Sequence, residues 1–143
     1  MTEVNRSALV LHSAQQMFNI VNDVVAYPEF LPWCAATDLI YENEEEMQAT
    51  LHLAKAGLKY SFTTHNRLLR PNRIDIDLVE GPFSRLSGVW TFEPLNEEAC
   101  KVSLNLGFDF SGKLTGLAMG KVFNQVATSL VDAFVQRADK LYG

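Results

Sequence analysis

Cysteine is scarce in this sequence. Cys34 and Cys100 are the only two, they lie far apart, and no CxxC pair or Cys/His cluster at metal spacing accompanies them. That excludes a disulfide-stapled scaffold and a zinc module, and fits two reduced thiols in a reducing compartment. Positive charge is also short. Twelve Lys and Arg against seventeen Asp and Glu leave a formal charge of -5, which excludes a general nucleic-acid binder that relies on a cationic surplus. No apolar run is long enough to cross a bilayer. The start, MTEVNRSALVLHSAQ, has no basic segment leading into an apolar one, so no secretory signal is expected. Nothing resembles a linker, a repeat or a low-complexity tract.

What remains is ordinary globular composition, 48% apolar over 143 residues, which suggests one domain spanning 1–143. A chain of this size buries about 70% of its unfolded surface and needs no staples. The pattern of apolar residues changes period three times. EVNRSALVLH alternates, with Val4, Ala8 and Val10 on one side, and predicts a strand. Ser13 followed by Gln16 is a capping box that opens a short helix over AQQMFNIVND. A second helical turn is expected through PEFL, between Pro28 and Pro32.

From Ala36 to Phe110 the period is two. Met47, Ala49, Leu51 and Leu53 alternate with polar residues, as do Leu58, Tyr60 and Phe62, then Ile74, Ile76 and Leu78, then Leu86, Trp90 and Phe92, then Val102 to Phe110. KAGLKY, RPN, EGP and PLNEEA mark the turns. Six successive strands joined this way make an antiparallel meander with one dry face. After Gly112, Met119, Phe123, Val126, Ala127, Leu130, Phe134, Ala138 and Leu141 recur at three and four spacing, predicting a long amphipathic helix over about 113–141. The expected fold is α+β: a curved antiparallel sheet of about seven strands wrapped round that helix, with two short helices after the first strand. A bent sheet gripping one helix tends to leave a cavity, the usual place for a ligand.

One stretch is dense in aromatic and proline residues. YPEFLPWC, residues 27–34, precedes GPFSRLSGVWTFEPL by about fifty residues, and the chain ends VDAFVQRADKLYG. With the order of elements, these motifs resemble the polyketide cyclase/START-like proteins of the helix-grip class. The resemblance is nearest to the coenzyme Q-binding START group, to which mitochondrial coenzyme Q chaperones and bacterial ribosome association toxins belong. It covers nearly the whole chain.

The resemblance implies a hydrophobic tunnel that takes ubiquinone or a similar polyprenyl quinone as bound ligand, in support of respiration, with no other cofactor. By parity Tyr60, Phe62, Leu78, Leu86, Trp90, Leu104 and Phe108 face the helix, Phe123, Leu130 and Phe134 face back, and Phe83 joins them from the GPF turn. At this spacing plain core is the alternative. Tyr27, Phe30 and Trp33 would frame the mouth, Trp33 as a plug and Phe30 as a gate. Thr64 and Asn66 continue the parity of Tyr60 and Phe62 and could bond a head-group oxygen, although a slipped register or a solvated strand end is the plainer expectation. The segment SGKLTGLAMGKVF, with Gly112, Gly116 and Gly120, Leu114 and Leu117, and flanking Lys113 and Lys121, is expected either to pack closely or to touch a membrane transiently as a lid.

The competing implication is a toxin that binds the large ribosomal subunit and blocks subunit association. Lys59, His65, Arg67, Arg70 and Arg73 cluster about one hairpin, and the last three would contact rRNA phosphates. The acidic run ENEEE at 42–46 weighs against this. An enzyme is not expected: no Ser/His/Asp set is visible, Asp75 and Asp77 face solvent, and the three histidines show no convergence. The expected location is the cytoplasm, or peripheral at the inner membrane.

Overall fold

The structure is a computed structural model that describes residues 2–112 and 114–143. β1 (Thr2–Val10) leads into α1 (Ala14–Asn22), a single 3-10 turn (Val24–Ala26) and α2 (Tyr27–Phe30). Six strands follow: β2 (Cys34–Glu42), β3 (Glu46–Lys55), β4 (Leu58–Leu69), β5 (Arg73–Glu80), β6 (Phe83–Asn96) and β7 (Ala99–Phe110). The chain closes with α3 (Leu114–Tyr142). Ser13 caps α1 through the reciprocal bonds its sequence calls for: the Gln16 N–H donates to Ser13 Oγ at 3.1 Å, and the Ser13 N–H to Gln16 Oε1 at 2.9 Å.

The sheet order is β1-β7-β6-β5-β4-β3-β2, antiparallel throughout. Every connection from β2 onward joins neighbours. The exception is β1 to β2, which lie on opposite edges. The α1–α2 segment therefore has to cross the open side of the sheet, and this puts the proline-aromatic turn over the mouth of the concave face.

That face is dry for the reason the alternation implies. Val102, Leu104, Leu106 and Phe108 of β7 and Met47, Ala49, Leu51 and Leu53 of β3 are all buried, while the residues between them are not. α3 lays Phe123, Val126, Ala127, Phe134 and Ala138 onto it, and Val122 and Val131 widen the stripe beyond the sequence reading. β2 departs from alternation. As an edge strand it leaves Leu39, Ile40 and Tyr41 outward. Cys34 and Cys100 are buried and unpaired, and burial pushes the Cys34 thiol up to about 11.

Candidate functional site: a sheet–helix cavity and its mouth

A cavity of about 90 Å³ lies between α3 and the middle strands. Of the residues expected to hold a ligand, Tyr27, Trp33, Phe62, Leu86, Trp90, Phe123, Leu130 and Phe134 line it. Its size accommodates a ring but not the long tail that the expected tunnel would hold.

Aromatic packing accounts for the missing volume. Phe83 stacks on Phe110 at 4.3 Å, and Phe108 meets Phe123 edge-on at 4.7 Å. Tyr60 stands against Phe110 at 5.6 Å. Phe108 and Leu104, each 1% exposed, are core rather than cavity wall, and Leu78 is partly buried against that core. Burial raises the Tyr60 hydroxyl well above its ordinary range and leaves it unpartnered.

Leu117 is 75% exposed on α3 and lies apart from the cavity lining. Two of the glycines around it lie near Phe110. A Cβ at Gly116 would sit 3.4 Å from Phe110 Cβ, and one at Gly120 would sit 3.8 Å from the Phe110 ring. Lys113 and the side chain of Leu114, the rest of the expected lid, fall outside the described residues.

The polar pair read from strand parity does face inward. Thr64 is 6% exposed, and both Thr64 and Asn66 line the cavity. The pairing with β5 slips between Thr63 and Thr64 without turning them out, and Thr63 is bonded to Thr50 at 2.6 Å. Asn66 Oδ1 is buried and has no partner. The same holds for Trp33 Nε1, an indole N–H on the same cavity. Such groups each cost about 1–3 kcal/mol when left unmet.

The YPEFLPWC turn is fixed rather than loose. The Tyr27 hydroxyl donates to the Val21 carbonyl, and its ring lies 5.4 Å from Phe134. Trp33 is 6% exposed and plugs the mouth, bordering both the cavity and an outer groove. Phe30 lines the groove only, beneath the Arg137 guanidinium at 4.8 Å.

The basic hairpin looks different in three dimensions. The acidic run at 42–46 forms the adjoining turn, so Arg70 pairs with Glu42 at 3.8 Å and bonds the Glu44 carbonyl at 3.1 Å. Arg70 also lies over Phe18, and Arg73 pairs with Asp75 at 2.6 Å. Arg67 is exposed, with Glu46 and Asp75 as its strand neighbours. Little cationic surplus is left for phosphates there. The histidines are separately tied, His12 to Asp139, His52 to Asp38 and His65 to Glu46. Among the described residues no His/Cys/Asp/Glu cluster could hold a metal, and no helix is long and apolar enough to cross a membrane.

Residues 10–135 match the family model for polyketide cyclase/dehydrase and lipid transport. Over 143 residues, all of this chain and 99% of the relative, the sequence is 49% identical to a ribosome association toxin, RatA, of Vibrio cholerae. It is 24% identical to the mitochondrial coenzyme Q-binding protein COQ10 of Drosophila melanogaster, over 96% of this chain and 59% of that one. The fold matches the crystal structure of the Zhui aromatase/cyclase of Streptomyces with a TM-score of 0.87, at 17% identity over 99% of this chain and 96% of the other. A meander gripping one long helix is thus shared well beyond sequence likeness, and the chain belongs to the polyketide cyclase/dehydrase and lipid transport family.

Proposed function

We propose that this protein binds the ring of an isoprenoid quinone, or of a closely similar apolar lipid, in the sheet–helix cavity, and carries it without catalysing a reaction. The observation that carries this reading is an apolar cavity lined by residues with an unmet donor, Trp33 Nε1–H, and an unmet acceptor, Asn66 Oδ1, and by Thr64. A quinone oxygen accepts from the indole, and a quinol hydroxyl donates to the amide. The apolar wall contributes about 0.8 kcal/mol for each methylene-sized group that it covers. The separately paired histidines favour binding over acid–base chemistry.

The test is Asn66→Leu. Removing an unmet buried acceptor is expected to raise the stability of the free protein by about 1 kcal/mol. The same change is expected to weaken binding of a short-chain ubiquinone about tenfold, as one lost hydrogen bond would. Calorimetric titration and urea unfolding read the two effects. Lower stability together with unchanged affinity would sink the reading, and no saturable binding to the wild type would sink it outright.

A second reading is association with the large ribosomal subunit in the cytoplasm, favoured by full-length identity of 49% to a relative named for that association. Its test is co-sedimentation with large subunits at moderate salt. With Arg70 and Arg73 already paired, an Arg67→Ala, Arg70→Ala, Arg73→Ala variant is expected to co-sediment within about twofold of the wild type. Failure of the wild type to co-sediment removes this reading.

A further inference from the structure

The groove outside Trp33 has a chemistry the cavity lacks. It encloses about 550 Å³ between the Tyr27–Trp33 turn, the end of β3 and the C-terminal half of α3. Phe30 and Trp33 supply apolar surface, and Lys55, Arg137 and Lys140 supply three cations against one carboxylate, Asp132. Arg137 is held in place. Its side chain is 13% exposed, stacked on Phe30 and bonded to Glu29 at 3.3 Å. Lys55 and Lys140 are exposed, and among the described residues neither has an ion-pair partner. Even with Glu29 counted, cations outnumber carboxylates here, in a chain whose formal charge is -5.

Position adds to this. Trp33 is the wall between groove and cavity. The Ala54 N–H donates to the Trp33 carbonyl at 2.9 Å, which fixes the backbone of the turn beside Lys55. The indole N–H is unpartnered, so no hydrogen bond holds the ring itself shut. A rotation of that ring joins the two spaces into one that falls in the size range of lipid and cofactor sites.

We propose that the groove seats the phosphate of an anionic phospholipid head group, and is the face set against a membrane while an apolar ligand passes Trp33. This rests on the apolar-ligand reading above. Aromatic surface ringed by Lys and Arg is what an interface of head groups over acyl chains receives. The cations are long enough to reach phosphate oxygens while their stems cover apolar surface.

The experiment is flotation with phosphatidylcholine vesicles, with and without phosphatidylglycerol, at low and high salt. The wild type is expected to favour the anionic vesicles about tenfold at low salt and to lose that preference at high salt. A Lys55→Glu, Lys140→Glu variant is expected to lose it at any salt, and Lys55→Gln, Lys140→Gln to lose most of it. Arg137 is left alone because it packs on Phe30. Both variants change exposed residues, and an unaltered near-ultraviolet circular dichroism spectrum verifies their fold. Short-chain ubiquinone binding, titrated without vesicles, is expected to be the same in wild type and variants. Equal flotation of wild type and variants overturns the groove and leaves the cavity standing, whereas absent quinone binding in the wild type overturns the cavity reading alone. Binding of inorganic phosphate with no preference for anionic vesicles overturns the membrane assignment in favour of a soluble anion. Loss of large-subunit co-sedimentation in the variants, with flotation unchanged, overturns it in favour of RNA.

Discussion

Replacing Phe134 with alanine is expected to cost about 3–5 kcal/mol of folding stability. The ring is 1% exposed and meets three others, Trp90 at 5.4 Å, Tyr27 at 5.4 Å and Phe30 at 5.6 Å. It therefore ties the long helix to the sheet and to the proline-aromatic turn at once. Alanine is the best helix former, so α3 itself loses nothing and the whole cost is packing. The measurement is the urea midpoint, with an unchanged slope showing that the same surface unfolds. Phe134 also walls the cavity, and its loss enlarges an apolar chamber that the aromatic ligand benzene should then enter. Added benzene is expected to recover part of the lost stability in the variant and to stabilise the wild type less, by preferential binding to the folded state. A cost below about 1 kcal/mol would show that the turn and the helix hold together without this ring.

Much of this architecture was legible because one face of the sheet is dry. The inward run from Val102 to Phe108 and the stripe from Met119 to Ala138 show their period in the sequence, since each position has one side to bury. The cavity was less legible. Phe62 and Phe108 both face the helix by strand parity, yet one is a cavity wall and the other packed core. Alternation reports which way a side chain points, not whether the space beyond it is filled.

Electrostatics depended most on topology. Arg70 looks like part of a free basic hairpin in sequence, and only the return of β3 beside β4 brings Glu42 and its neighbours onto the same end of the sheet. The reverse holds for Lys55, Arg137 and Lys140, which are far apart in sequence and share one groove. Thr64 and Asn66 were the instructive pair. Parity alone placed them inside, while a general preference for solvated polar groups argued against it. The cavity resolves the conflict by giving polar groups a place in the interior that plain core would not.

Gly81→Ala is expected to cost about 2–3 kcal/mol and to disturb the cavity as well. Gly81 turns the chain from β5 into β6 with φ +153°, and a Cβ there would lie 2.7 Å from Phe62 Cβ and 3.2 Å from Phe62 Cα. Neither atom is the end of a flexible side chain, so the turn or β4 has to move. Phe62 lines the cavity and meets Phe83 at 5.4 Å and Phe123 at 5.8 Å, so a displaced β4 reaches the aromatic cluster directly. Gly57→Ala is the control. It has φ +79° but nothing within 4 Å of a new Cβ, so only the backbone cost of about 1 kcal/mol applies. Chemical denaturation of both variants, with short-chain ubiquinone affinity measured in parallel, separates the two causes. The Gly81 variant should lose stability and affinity together, and the Gly57 variant stability alone. Equal losses of stability at the two positions would mean that positive φ explains both, and that the close approach of the turn to Phe62 does not shape the cavity.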